Sequence, residues 1–213
     1  MLIQYHKSIT RKALSEYFSS RALQSILAAN LKQDDLLTGQ IGHDEYHYDN
    51  NALAKSDRYL EEQRTLTRTA LQNDDLPTAW AAFGRLIHTA QDFYSHSNYV
   101  GLWLAHYGIE GQTPPPPSEI APLMDDLIHS PDLHSGVLYY PWEILAFVPV
   151  VKRFVIPLLP KDSHAHMHLD SPAQGEHFAY AFEAAVKRTQ YEFDKTVAGL
   201  SSSLDALFTD LSP

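Results

Sequence analysis

Gly84-Arg85-Leu86-Ile87-His88-Thr89-Ala90-Gln91-Asp92-Phe93-Tyr94-Ser95-His96-Ser97-Asn98 sets two imidazoles and a carboxylate four residues apart on what reads as one helix. Side chains at that spacing drift by only about 40° around a helix axis, so His88, Asp92 and His96 project as a single row. Trp80, Phe83, Ile87, Ala90 and Tyr94 form a stripe on the far side, widened by Leu86 and Phe93, and that stripe is expected to be core. Beside the polar row stand only Ala81 and Gly84, which leave room for something to approach. The helix is therefore expected to be buried on both sides, by a hydrophobic core on one and a polar centre on the other.

The rest of the composition narrows what that centre can be. With 213 residues, 44% hydrophobic and 20% charged, the chain can build one substantial core, and a single domain over residues 1–213 is expected. A net charge of −10 argues against a general polyanion-binding surface, so no stable nucleic-acid complex is expected. There is no cysteine, so a metal site must be built from histidine, carboxylates and backbone atoms, and twelve histidines are available for it. Met1-Leu2-Ile3-Gln4-Tyr5-His6 lacks a basic region followed by an apolar stretch. No classical signal peptide is read there, and a cytoplasmic location, signal-independent export and a trimmed mature chain all stay open.

Periodicity elsewhere is helical. Ser8 and Thr10 offer cap oxygens before a long amphipathic segment with Leu14, Tyr17, Leu23, Ile26, Leu27 and Leu31, fading at Gln33-Asp34-Asp35. Gly39 to Asn51 is polar and turn-like, Leu53 to Leu71 is helical again, and Pro77 suits the first turn of the next helix. Gly111-Gln112-Thr113 and Pro114 to Pro117 read as a stiff extended loop, and a shorter helix is expected over Glu119 to Leu127. Trp142 to Pro160 is apolar but interrupted by Pro149, Pro157 and Lys152-Arg153, too short and broken to span a bilayer. A histidine-rich loop, Ser163 to Pro172, leads into a last helix over Glu176 to Leu200. No alternating run argues for a sheet, and the fold class is all-α, a single-domain helical bundle around a multi-metal centre.

A metal ion needs three or four converging ligands on rigid elements, and the central helix alone could supply three. The competing reading is a solvated face on which His and Asp fall at four-residue spacing by chance. His6 before the first helix, Asp34 and Asp35 at its end, and His47 in the following loop each stand where a side chain can reach a shared centre. His6 could equally be a buried helix-entry histidine, and Asp34-Asp35 a plain acidic loop. His164, His166 and His168 form a metal-prone tract, while His43, His106, His129, His134 and His177 have no partner by spacing.

These stretches together resemble a known family. His88-x3-Asp92-x3-His96-Ser97-Asn98 after Gly84-Arg85, with Tyr46-His47-Tyr48-Asp49-Asn50, His6-x2-Ile9-Thr10 and Leu169-Asp170-Ser171-Pro172, resembles the Het-C-like branch of the zinc-dependent phospholipase C and single-strand nuclease superfamily. The resemblance implies an all-helical fold around two or three zinc ions that hydrolyses phosphate esters. It would place Asp34 or Asp35, His47, His88 and Asp92 around one zinc. Asp92 would bridge to a second that also takes His6, and His96 with His164 or His168 would hold a third. In the bacterial phospholipases of the superfamily the mature amino-terminal residue completes a site, and here Met1 stands before His6.

The chemistry so implied is in-line attack of water on a phosphodiester clamped by the zinc ions, with Asp34 or Asp35 orienting that water or taking its proton. A cationic cluster would also let an acidic protein bind a phosphate-bearing substrate. Phosphatidylcholine-type phospholipid is the expected substrate, so a phospholipid or membrane surface is the expected partner. Ile144 to Leu159 could lie at such a surface or pack inside the domain, and packing inside is expected. Single-stranded nucleic acid stacked on Tyr94, Tyr99 and Trp103 is the alternative within the superfamily. A non-catalytic protein with structural zinc is the alternative outside enzymes.

Overall fold

Twelve α-helices succeed one another among the described residues: α1 (Ile3–Leu14), α2 (Ser20–Lys32), α3 (Asp44–His47), α4 (Leu53–Gln72), α5 (Leu76–His96), α6 (Tyr99–Gly108), α7 (Asp125–Ile128), α8 (Trp142–Ala146), α9 (Lys152–Val155), α10 (His164–Met167), α11 (His177–Val197) and α12 (Ser202–Thr209). The computed structural model describes residues 1–108, 113–146, 148 and 150–211, without the side chain of Ile144. Among these residues no strand forms, only isolated bridges between Ser97 and Ser135 and between Val137 and Ser163. The architecture is an all-α helical bundle. No described helix is long and apolar enough to cross a membrane. Of the stiff loop expected around Pro114, Gly111 and Gln112 lie outside the described residues.

The bundle is built around α5, against which α2, α4 and α11 pack. Asp75 caps it by accepting from the Thr78 backbone N–H, Pro77 sits in the first turn, and its residues are buried on nearly every face from Ala79 onward. The room left by Gly84 is taken by a helix rather than a ligand. A Cβ there would lie 2.4 Å from the Ile26 carbonyl oxygen and 2.9 Å from the Ala29 Cβ, so glycine is what allows the α2 backbone to approach this closely. The expected aromatic stripe is core: Phe83, Ile87 and Tyr94 are fully buried, and Phe83 and Phe18 both meet Phe208 edge-on.

Three helix boundaries differ from expectation for physical reasons. The long first helix is two, because Ser19 breaks it: its hydroxyl accepts from Ala22 N–H to start α2, while its own N–H donates to the Thr209 carbonyl of α12. Ser8 lies inside α1, its hydroxyl turned back to the Gln4 carbonyl. The helix expected over Glu119 to Leu127 is a single 3₁₀ turn at Pro117–Glu119 followed, after Pro122, by the short α7. Beyond α11 a further helix, α12, closes the core through Phe208, whose carbonyl accepts the Trp80 indole N–H at 2.8 Å.

Ile144 to Leu159 does not pack inside as expected. Prolines and the single turns of α8 and α9 let Val155 and Leu159 reach the interior, but Leu145, Val148, Val150, Phe154 and Leu158 stay exposed. Phe147 and Pro149 of that run lie outside the described residues.

Candidate metal centre

The C-terminal half of α5 presents His88, Asp92 and His96 along one face, and other elements bring their side chains to it. His6 comes from α1, Asp34 from the end of α2, His47 from the end of α3, Asp49 from the loop after it, and His164, His168 and Asp170 from α10 and the following loop. Three groups have donor atoms close enough to share an ion: His6, Asp34, His88 and Asp92; Asp49, His96 and His164; and His164, His168 and Asp170. The carboxylate of Asp92 is fully buried and divided between neighbours. Its Oδ2 lies 2.9 Å from His47 Nδ1 and 3.1 Å from His88 Nε2, and its Oδ1 lies 3.2 Å from His6 Nε2 and 2.5 Å from the Met1 amino nitrogen. The Met1 amino group also lies 3.1 Å from Asp170 Oδ1 and 3.2 Å from His96 Nε2. A cavity of about 280 Å³ opens onto this cluster between Asp34, His47, Asp49, His96, His164 and Asp170.

The imidazoles are oriented from behind. Thr189 donates its hydroxyl to the Ala185 carbonyl and so accepts from Gln91 Nε2, which fixes the Gln91 amide with its oxygen toward His6. His6 Nδ1–H then donates to Gln91 Oε1 at 2.7 Å, and its Nε2 faces the centre as a lone pair. His47 Nε2–H donates to the Gly39 carbonyl at 3.3 Å, turning Nδ1 inward, and His96 Nδ1–H donates to the His47 carbonyl at 2.8 Å, turning Nε2 inward. Neutral oxygen acceptors behind inward-facing ring nitrogens are the arrangement that metal-ligating histidines use. His6 Nε2 and Asp34 Oδ2, both buried, make no hydrogen bond, which leaves donor electrons aimed into the cluster. The residues fit a divalent cation. Replacing Gln91 by leucine frees the His6 ring to rotate, and metal affinity is expected to fall roughly ten- to hundredfold with the helices retained, as titration calorimetry and circular dichroism would show.

The loop that carries His47 and Asp49 is held by unusual backbone. Tyr48, Asn50 and Asn51 all have positive φ, 58°, 54° and 54°, a region asparagine tolerates better than most residues. The left-handed turn at Tyr48 sends its ring into the core against Phe93 while His47 and Asp49 both face the centre. Asn50 and Asn51 side chains accept from the backbone N–H groups of Leu138 and Ser135, and Asn50 N–H donates to the Gly136 carbonyl. Gly136 is pressed against His164, where a Cβ would come within 2.6 Å of the His164 Cα. One contact point thus ties the histidine loop, the end of α5 and α10 together.

Four carboxylates meet here with few fixed cations. Burial would raise the pKa of Asp92, but the Met1 ammonium and His96, His6 and His88 hold it well below the usual range. Burial opposes ionisation of Asp170 too, and the ammonium and His168 overcome it. Burial, reinforced by His6 alongside, pushes His88 down to about 4 in spite of Asp92, so its ring is a neutral donor at pH 7. Burial likewise disfavours charge on His164, but Asp49 at 2.8 Å raises its pKa to about 9. The Met1 ammonium is raised to about 11 by Asp170, Asp92 and Asp34 against the same penalty. Buried carboxylates drawn together around the neutral His88 ring, and held by the Met1 ammonium and protonated His164, form a set of oxygens that a divalent cation could take over from those protons.

Seven of the residues singled out from the sequence as metal ligands, His6, Asp34, His88, Asp92, His96, His164 and His168, stand in the three groups, and His47 touches Asp92 and His88. His6 falls in one group with Asp34, His88 and Asp92, its ring stacked on that of His88 at 4.2 Å. Asp35 is not part of the centre: its Oδ1 accepts from the Leu37 and Thr38 backbone, capping the π-helical turn Leu36–Gln40, which also lowers its pKa. Of the two aspartates, only Asp34 stands at the cluster. Asp49 and Asp170, which stand in two of these groups, are candidate ligands that the sequence did not single out. Both lie inside stretches that carried the family resemblance, each two residues beyond a histidine, and that adjacency was the available sign.

Residues 4–109, just under half of the chain, match the VWA7 N-terminal domain family, and the match spans His6, Asp34, His47, Asp49 and the whole of the α5 row. No curated protein and no solved structure matches the chain.

Proposed function

We propose that this protein is a zinc-dependent phosphodiester hydrolase of the phospholipase C type, related to the Het-C-like branch of the zinc-dependent phospholipase C and nuclease superfamily. The observation that carries the reading is the division of Asp92 between two sets of donors, Oδ2 toward His47 and His88 and Oδ1 toward His6 and the Met1 amino group. A carboxylate so placed could serve more than one ion. The residues that would hold them are His6, Asp34, His47, His88 and Asp92, with Asp49, His96, His164, His168 and Asp170 available for a third. Ions bound there would draw charge from the phosphodiester oxygens and lower the pKa of water toward neutrality.

The chain's own groups do the rest. Asp34, its side chain about one-tenth exposed at the cavity wall, has Oδ2 free to accept the proton of the attacking water. Water attacks phosphorus, the bond from phosphorus to the glycerol oxygen breaks, and the proton passes to that oxygen, yielding diacylglycerol and phosphocholine. Phospholipid is favoured over single-stranded nucleic acid because the three aromatics that the sequence offered for base stacking are unavailable. Tyr94, Tyr99 and Trp103 are buried, with both tyrosine hydroxyls donating to the carbonyls of Pro122 and Ala121.

The reading is tested by metal analysis of the purified protein together with turnover of phosphatidylcholine and of single-stranded DNA. Stoichiometric zinc and release of phosphocholine are expected, both lost in His88→Ala while the helices remain. DNA cleavage without lipid cleavage would move the substrate to nucleic acid. Zinc without hydrolysis of either would make the metal structural, and full activity in His88→Ala would remove the centre from the chemistry.

A further inference from the structure

The rim of the cavity is apolar to a degree the rest of the surface is not. Of sixteen exposed large apolar side chains among the described residues, twelve fall in three segments, 2–3, 36–41 and 140–158. Each segment supplies part of the cavity wall, through Leu2 and Ile3, through Gln40 and through Tyr140. Single exposed leucines are ordinary, but a concentration in three segments that each reach the wall of one polar cavity marks an interaction surface. The most protruding are Leu37, 78% exposed, and Leu158, 81% exposed.

We propose that this rim docks on the surface of a phospholipid bilayer carrying anionic headgroups. The proposal rests on the phosphodiesterase reading for the identity of the occupant, and charge supports it independently. From residue 144 to 161 the chain carries Lys152, Arg153 and Lys161 and no carboxylate, within a protein of net charge −10. Lys152 and Arg153 are exposed beside Phe154, with the guanidinium over that ring at 4.6 Å. Tyr140 lines the cavity and Trp142 follows it two residues on, both with exposed rings, the side-chain type that settles at a membrane–water interface. Apolar side chains with a local basic cluster on an otherwise acidic protein match the two layers of such a surface, acyl boundary and anionic headgroup. The cavity would then face the bilayer with the metal ligands at its floor.

Sedimentation with vesicles of phosphatidylcholine, alone and mixed with phosphatidylglycerol, tests this, with hydrolysis of a soluble short-chain phosphatidylcholine measured in parallel. Binding is expected, stronger to the mixed vesicles and weakened by salt. Leu37→Glu with Leu158→Glu should reduce it about a hundredfold, given what burying two leucines is worth, with soluble-substrate hydrolysis kept. Lys152→Gln with Arg153→Gln should remove about tenfold or more, and only from the anionic vesicles. Binding should persist in His88→Ala, which separates docking from the chemistry. Failure of the unmodified protein to bind either vesicle would overturn the proposal. So would a protein that forms dimers in solution dispersed by Leu37→Glu and leaves vesicles untouched, because the rim would then be covered by a second copy.

Discussion

Replacing Asp92 by asparagine is expected to strip the protein of most of its tightly held zinc and to lower phosphodiester turnover about a thousandfold. That factor corresponds to about 4 kcal/mol of lost transition-state stabilisation, in the range attributed to a positioned metal. The reason is local. Asp92 is the one fully buried carboxylate of the centre and the one whose two oxygens face different donor sets. An amide keeps one acceptor and puts an N–H where the other stood, against His47 and His88 or against His6 and the Met1 amino group. Metal content and steady-state kinetics of the variant, with its circular dichroism as a control for folding, give the answer. Zinc retained at the unmodified level would show that Asp92 is not a shared ligand.

The second large effect is on stability and lies away from the centre. Glu192, fully buried on α11, accepts from Arg188 one turn earlier at 2.6 Å and pairs with Arg64 of α4, fastening those two helices together. Burial opposes its charge, but Arg188 and Arg64 hold its pKa below the ordinary value of 4.5. Glu192→Gln leaves the largely buried Arg188 guanidinium without its anion and Arg64 with only the exposed carboxylate of Glu61, and is expected to destabilise by about 3–5 kcal/mol, or roughly 10 °C in melting temperature for a chain of this size. Because the pKa of Glu192 is depressed by folding, its contribution is complete above about pH 4.5 and fades as the pH falls through the depressed value. The gap between the unmodified protein and the variant should therefore be widest near neutrality and close in acid. Thermal denaturation at several pH values measures it, and a gap constant down to strong acid would mean that the ion pairs contribute nothing.

The all-α class and the central helix were legible because α5 combines two periodic patterns, apolar on one face and ligand-bearing on the other, which few alternatives satisfy. The break between α1 and α2 was not legible. Leu14, Tyr17 and Leu23 keep helical spacing through it, and Ser19 becomes a cap only with α12 folded against it to accept its N–H. Gly84 reads as an opening in the sequence, and only the position of α2 shows that the space holds another backbone. Hydropathy could not say which way residues 144–159 face, because an apolar segment looks the same whether it meets the core or a rim. Asp34 and Asp35 are indistinguishable by spacing alone. The Asp35-x-x-Thr38 pattern that caps the next turn was the sign that Asp35 was committed elsewhere.

The central claim is that the cluster around Asp92 is a multi-ion metal site. Crystals grown with zinc, with anomalous diffraction collected on either side of the zinc absorption edge, test it most directly. The account predicts an anomalous peak enclosed by His6, Asp34, His88 and Asp92, and at least one more beyond Asp92 toward His96 and Asp170. Crystals that show no peak among these residues at saturating zinc, with the Met1 ammonium still paired to Asp92 and Asp170, would contradict it.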